Sequence, residues 1–412
     1  MTTMNLYQWA DKQINTAPQY NTGFTQLFGK TPYYISPNDW SGVVSRHEII
    51  REFMKLSLEI FRYSLVKETE PDIRNWLLNE APSNISLEYH RSLQDCHFSL
   101  PVFFRTDESS FGKIMEIQCP GSLWGELQLA FEYALLRGDV SCNESPAKLF
   151  AKQLSEYLGK QPIVHHLLDD ATAQPGMRYF IEKTRPELKY SNIDKGIRPE
   201  NCNFVRNHFF WGLCNEIHFL RRFPNIGTNV FYDLPPHVLF SQKASLVLPF
   251  WSRTKNLFSN EIRNIINYSV PLLPEGIELE TGFMTIDEFS NLPRNKRSYY
   301  LKYAGSNVSK SWGGRTVYRL STMSSENCRN FLHKCLENLS SGEIWLIQKE
   351  DTQDDTVNYY DRDFKENQEK LRLKLNCFYG PSACVGVLAM HHAFFKVHGR
   401  NDSVIAYAAV KK

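Results

Sequence analysis

At 412 residues the chain can hold two or three subdomains around sizeable cores, and 42% hydrophobic with 13% aromatic residues exclude a disordered polymer. A formal net charge of +2 lacks the basic excess of a nucleic-acid binder. The start MTTMNLYQWADKQINTAPQY has neither the basic nor the apolar stretch of a signal peptide, and no apolar run could span a bilayer, so a cytoplasmic protein without nucleic-acid or membrane partners is expected.

In chain order, Ser45 to Glu68 carries apolar residues at helical spacing, Ile49, Ile50, Phe53, Leu56, Ile60, Phe61 and Leu65, and predicts an amphipathic helix ended by Pro71. Phe103 to Gly125, FFRTDESSFGKIMEIQCPGSLWG, predicts two strands around a Ser/Gly turn. SLWGELQLAFEYALLRG predicts a helix closed by Gly138. SPAKLFAKQLSEYLG predicts another, with Ser145 as cap, Pro146 in its first turn and Gly159 as stop. From Gln161 to about Ser241 strands and helices alternate: PIVHHLLDD reads as a strand and NHFFWGLCNEIHFLRRF as a buried helix. The neighbours His165 and His166 diverge and make a poor metal pair. A helical segment is expected through KASLVLPFWSRTKNLFSNEIRNIINYSVPLLPE, then strand, loop and strand in NKRSYYLKYAGSNVSKSWGGRTVYRLS. EDTQDDTVNYYDRDFKENQEK is polar enough for an exposed loop, and LRLKLNCFYGPSACVGVLAMHHAFFKVHG with SVIAYAAVKK supplies the last strands.

Nine cysteines with no C-x-x-C pair argue against a disulfide framework or a structural zinc site. Cys119 alternates out of phase with Glu116 and Gln118 and is read as an ordinary thiol.

The polar residues of the hairpin raise the functional question. Side chains two apart on a strand share a face, so Arg105 goes with Asp107 and Glu116 with Gln118. Two readings stand. In one, the hairpin is an antiparallel ribbon with one face in water, and Arg105 pairs with Glu116 across the strands. In the other, Asp107, Glu116 and Gln118 present hard oxygen ligands suited to Mg²⁺, with Arg105 placed to meet a phosphate.

A second constellation follows. Lys302 leaves a strand into a loop containing Gly305, Ser306, Gly313 and Gly314, a workable clamp in which the ammonium meets phosphate oxygens and loop amides hold the rest. It is neither G-x-x-x-x-G-K-[ST] nor G-x-G-x-x-G, and a hairpin loop without a ligand accounts for it equally. EIWLIQKEDTQ is an apolar strand ending in Gln348, Lys349 and Glu350, either an adenine-contacting linker or a strand leaving a core.

Taken together, Arg105-Thr106-Asp107, Gly112-Lys113-Ile114-Met115-Glu116-Ile117-Gln118 and Pro120 resemble the R-x-D, E-x-N, P pattern of circularly permuted ATP-grasp ligases of the glutathionylspermidine synthetase type, without their amidase domain. The resemblance covers roughly Phe103 to Ala130 and Ser241 onward. It implies an α+β, circularly permuted ATP-grasp fold: an N-terminal, mainly helical region over 1–100, a metal-binding part over 101–160, an α/β middle over 161–240, an ATP-binding lid over 241–349 and a C-terminal part of the core over 350–412. In roles, it implies Arg105 as the catalytic cation, Asp107, Glu116 and Gln118 as Mg²⁺ ligands, and Lys243, Lys302, Gly305, Ser306, Gly313, Gly314, Gln348, Lys349 and Glu350 as ATP-binding residues. The implied activity is carbon–nitrogen bond formation between a small-molecule carboxylate and an amine, amino acid or peptide among them, through an acylphosphate, in a chain that can form a homodimer. Gln118 stands where the family has Asn, and Lys310 and Trp312 put bulk in the lid loop. The competing class is an inactive, nucleotide-binding scaffold that would turn over no ATP.

Overall fold

The computed structural model describes residues 6–10, 26–66, 71–78, 100–109, 112–119, 123–159, 164–168, 175–184, 189–192, 204–207, 231–233, 239, 243–305, 310, 316–394 and 402–411. Two short strands, β1 (Leu27–Gly29) and β2 (Tyr33–Ile35), precede helices α1 (Pro37–Val66) and α2 (Pro71–Leu78). Helix α1 starts well before the expected Ser45, because Pro37 suits a first turn and Ser36 Oγ accepts the Asp39 N–H at 3.1 Å. Pro71 likewise opens α2.

The hairpin β3 (Phe104–Glu108) and β4 (Ile114–Gln118) leads to helices α3 (Trp124–Leu136) and α4 (Pro146–Leu158). Gly138 follows α3 at a φ of 78° and donates its N–H to Leu135 O at 3.0 Å. Ser145 precedes α4 but makes no side-chain cap; Gln128 Oε1 of α3 accepts the Ala147 N–H instead, at 3.1 Å. The middle region contributes β5 (Val164–Leu168), α5 (Pro175–Thr184), β6 (Lys189–Asn192), β7 (Phe204–Asn207) and β8 (Phe231–Asp233), a parallel sheet in the order β6-β5-β7-β8. Of the helix expected over 207–223, Asn207 instead closes β7, and 208–223 lie outside the described residues.

The segment from Lys243, expected to be helical, is broken: short 3₁₀ turns at Ala244–Val247 and Lys255–Leu257 precede the helix α6 (Asn260–Ile265) and the strand β9 (Ser269–Pro271). Pro249 falls between the two turns, and a proline removes a donor and clashes with a continuing helix. There follow β10 (Ile277–Leu279), β11 (Gly282–Met284), α7 (Ile286–Asn291), β12 (Tyr299–Tyr303), β13 (Val317–Arg319), α8 (Ser325–Glu337) and β14 (Trp345–Lys349). Strands β13-β12-β14-β9 make an antiparallel sheet whose one face, with Leu301 and Ile347, packs on Phe289 of α7 and Leu332 of α8.

Last come β15 (Gln353–Tyr360), β16 (Glu366–Tyr379), β17 (Cys384–His392) and β18 (Val404–Val410). The polar run expected as a loop is therefore mostly the β15–β16 hairpin; Val357 and Tyr359, its few apolar alternates, are buried with Leu371 and Val404. The large sheet runs β15-β1-β18-β17-β16-β3-β4, with β2 beside β18 and a further β15–β16 pairing that curls it back on itself. One face carries Phe104, Leu375, Cys377 and Tyr379 against Phe53 and Phe61 of α1; the other carries Phe378, Leu388 and Met390 against Leu127 and Phe131 of α3 and Phe150 of α4. This mixed α+β architecture places the β3–β4 hairpin at the end of the large sheet, with β3 inside it and β4 at its edge. Among the described residues no helix is long and apolar enough to cross a membrane.

Candidate functional site

Strand β3 lies between β16 and β4, and both of its faces are covered: Arg105 is 2% and Asp107 5% exposed on one, and Thr106 and Glu108 are fully buried on the other. The ribbon reading is thereby corrected. Arg105 does not reach across to Glu116; its Nε donates to Asp107 Oδ1 on the same strand at 2.8 Å, and Lys374 Nζ of β16 donates to Asp107 Oδ2, also at 2.8 Å. Burial alone would raise the Asp107 carboxyl, but these two cations outweigh it and hold the group down to about 2. The opposite alternates, Thr106 and Glu108, face α1, where Arg46 Nη1 pairs with Glu108 Oε2 at 2.9 Å.

On β4, Glu116 stands opposite Asp107 and Gln118 opposite Arg105. Glu116 Oε1 accepts from Lys243 Nζ at 3.0 Å and from Gln118 Nε2 at 3.1 Å. Lys243 sits at the start of the first 3₁₀ turn, its side chain nearly enclosed.

The sheet of β9, β12, β13 and β14 meets β4 at this point. Asn267 N–H donates to Ile114 O at 2.9 Å, and Gln348 Nε2 donates both to Met115 O at 3.2 Å and to Ser269 Oγ at 2.9 Å. Lys302, in the centre of β12, donates to Gln348 Oε1 and lies over the Tyr300 ring, 5.8 Å from its centroid. Burial pushes the Lys302 ammonium down to about 8; Glu116 opposes that shift and Lys243 adds to it, with smaller effects from Asp107 and Lys374. Through Gln348, which bridges Lys302 to Met115 O of β4, the second constellation is brought onto the hairpin of the first.

The linker residues are placed differently. Gln348 is fully buried and joins the two sheets. Lys349 pairs with Glu280 at 2.7 Å, its N–H donates to Tyr268 O and its carbonyl accepts from Asn267. The Glu350 N–H donates to Ser298 O, and its carboxylate pairs with Arg319 of β13. The backbone donors of Lys349 and Glu350 are thus used within the protein. Gly305 packs so closely on Tyr303 that a Cβ there would collide with the ring. Ser306, Gly313, Gly314 and Trp312 lie outside the described residues; Lys310 pairs with Glu343.

Sequence reasoning missed Lys374. The signal was present in LRLKLN, where Arg372, Lys374 and Asn376 alternate with leucines and so share one face of β16. Asn376 pairs in register with Asp107, and its Oδ1 is buried without a hydrogen-bond partner. Glu126 of α3 also faces Arg105; burial raises its carboxyl, against its own backbone N–H and Arg105.

The donor chemistry discriminates between the expected Mg²⁺ ligands. A magnesium ion takes one or two carboxylates beside substrate phosphates and water. Glu116, a quarter exposed and paired through one oxygen, fits this with the Gln118 amide beside it. Asp107 gives both oxygens to protein cations. Among the described residues no three His, Cys, Asp or Glu side chains converge as a metal cluster.

Fold and site together define a mixed α+β protein in which a largely buried set of cations and carboxylates lies where the large mixed sheet meets the four-stranded antiparallel sheet. The chain is similar in fold to a glutathione synthetase-like effector from Globodera pallida in its apo form, with a TM-score of 0.53 and 11% identity over 99% of this chain and 96% of that one. A protein from Methylobacillus flagellatus named as a candidate gamma-glutamylcysteine synthetase aligns more loosely, with a TM-score of 0.40 and 10% identity over 78% of this chain and 81% of that one. No family model and no curated protein matches the chain.

Proposed function

We propose that this chain is an ATP-dependent carboxylate–amine ligase of the ATP-grasp type, with the hairpin part of its core preceding the lid in sequence. The observation that carries the reading is the meeting of Lys302 and Gln348 from the lid sheet with Lys243, Glu116, Asp107 and Arg105 from the hairpin side. The fold shared with a glutathione synthetase-like protein supports it.

In this reading Lys243 and Lys302 hold phosphate oxygens of ATP, and Arg105 stabilises charge on the phosphoryl group being transferred. Glu116 and Gln118 would hold Mg²⁺, which would supply charge neutralisation to the phosphates. The substrate carboxylate attacks the γ-phosphorus, ADP leaves, and the resulting acylphosphate is displaced by an amine to give an amide and phosphate. Gln348 fixes the approach of the lid sheet to β4 through Met115 O, which keeps Lys302 at the centre.

The test is ADP release by the full chain against panels of amino-acid and peptide carboxylates and amines. Release that needs both partners supports the ligase; no turnover, together with Mg²⁺-dependent ATP binding, leaves the second reading, a nucleotide-binding scaffold. One observation favours that second reading: Asp107 is closed by two protein cations.

A further inference from the structure

We propose that Arg46 is a positioning residue for this site: from helix α1, through its buried bond to Glu108, it holds a β-bulge at Met115 that turns Glu116 toward the site. The inference rests on reading Glu116 as a magnesium ligand and deepens it, tying the N-terminal helix to the hairpin edge that carries that ligand.

The bulge is visible in the register. Asp107 stands opposite Glu116 while Glu108 stands opposite Ile114, so Met115 is one residue too many on β4. Strict alternation would put Ile114 on the same side as Glu116 and Gln118. With the extra residue, Ile114 joins Ile117 in the core beside Phe104 and Leu375, and Glu116 and Gln118 stay beside Asp107 and Arg105. Met115 itself has no register partner on β3, and its carbonyl accepts from Gln348 Nε2 of the lid sheet. Bulges of this kind re-aim a side chain next to a site.

Arg46 grips this irregularity from the opposite face of the sheet. Glu108 closes β3 at the bulge and is fully buried. Its Oε1 accepts from Thr106 Oγ1 at 2.8 Å, and its Oε2 accepts both the Gly112 N–H at 3.1 Å and Arg46 Nη1 at 2.9 Å. One carboxylate thus ties α1 to β3 and to the turn from which β4 starts. A buried ion pair is a poor source of net stability, because desolvation offsets its attraction, and its best-attested use is to fix register. Arg46 fits that use. Its Nε and Nη2 are buried with no hydrogen-bond partner among the described residues, a cost that an apolar side chain of similar length would avoid. A slip that erased the bulge would send Ile114 into the site or Glu116 into the core.

The test uses the full chain and calorimetry of ATP binding, first in EDTA and then in Mg²⁺, with the ratio of the two affinities as readout. A partly unfolded sample changes the stoichiometry and not that ratio, so a merely structural role leaves it unmoved. Arg46→Met should cut the ratio at least about tenfold, as loss of a residue that orients a metal ligand does, with ATP affinity in EDTA unchanged. Arg46→Lys, which keeps the charge and a donor for Glu108, should restore most of the ratio. The neutral pair, Arg46→Met with Glu108→Gln, leaves no buried charge; it should melt as high as wild type or higher and still show the reduced ratio. If Arg46→Met does not melt cooperatively, the neutral pair decides alone. A wild-type ratio in the neutral pair overturns the proposal, as does a neutral pair that fails to fold or an Arg46→Lys chain no better than Arg46→Met. Wild type that binds ATP in neither condition removes the nucleotide site itself, and wild type that gains nothing from Mg²⁺ removes the metal reading of Glu116; an Mg²⁺ enhancement that wild type and variants share overturns only this inference.

Discussion

Strand β16 passes through two environments within a few residues. Lys370 lies on the β15–β16 hairpin, 4.0 Å from Asp354 with its side chain 72% exposed; Lys374, on the same face, lies 2.8 Å from Asp107 with its side chain 9% exposed. The two lysines belong to one run, with Lys370, Arg372 and Lys374 at every second position. What differs is the neighbour: at Lys370 β16 has only β15 beside it in register, while at Leu375 to Tyr379 it is flanked by β17 and β3. Alternation along a strand reports which residues share a face, and the tertiary fold decides whether that face meets water or protein.

The largest expected contrast is in stability. Asp107→Ala leaves two buried cations without their carboxylate and should lower the unfolding free energy by about 3–5 kcal/mol, whereas Asp354→Ala should cost no more than about 1 kcal/mol. Urea titrations of both variants check this, and equal losses would erase the distinction between the two halves of β16.

A smaller free-energy effect but a sharper functional one is expected at Glu116. Glu116→Gln should reduce amine-dependent ADP release by about a hundredfold or more, with the melting temperature of the ligand-free protein changed by only a few degrees, because this side chain is part-exposed. Retained turnover would place Glu116 with the surface carboxylates.

Titration separates the lysines next. Lys302 has a folded value near 8, below its ordinary 10.5, so between those two pH values the unfolded chain holds a proton that the folded chain has given up. Stability from this group must therefore rise with pH through that window, by up to about 1.4 kcal/mol per unit. Melting curves of wild type against Lys302→Met, from pH 7.5 to 10.5, should diverge accordingly, with wild type gaining; Lys370→Met should track wild type throughout. Parallel curves for Lys302→Met would show that its burial has no energetic consequence.

The smallest effect sets the baseline: Lys370→Ala should move stability by about 0.5 kcal/mol or less, measured by the same urea titration.

Much of this was legible in the sequence, for physical reasons. The hairpin announced itself through period-two alternation around Ser109 and Gly112, and the last strands through long β-branched and aromatic runs. The pairings within the site were not, because they depend on neighbours far along the chain: Arg105 and Glu116 have opposite charge and adjacent strands, yet Asp107 and Lys243 are the nearer partners. Lys374 was hidden by the same rule, as a lysine alternating in a strand normally faces water, and its burial against Asp107 of β3 depends on a strand far away in the chain. The segment after Lys243 was misread as helical since Leu246, Val247 and Trp251 match a helical spacing over one or two turns, too short to reveal the interruption at Pro249.

The bond between Asp107 and Lys374 joins residues 267 positions apart. At about 5–20 residues per second of synthesis, β3 leaves the ribosome tens of seconds before the strand that completes it. During that interval its Arg105–Asp107 face lacks its ammonium partner and the edge that β16 will cover is unpaired, the kind of strand that invites mispairing. Closing so long a loop is also slow and entropically costly. The ion cluster of Arg105, Asp107 and Lys374 is thus among the last parts of the molecule that can form during translation, and a stalled or shortened chain would carry the hairpin sequence without the ammonium that completes it.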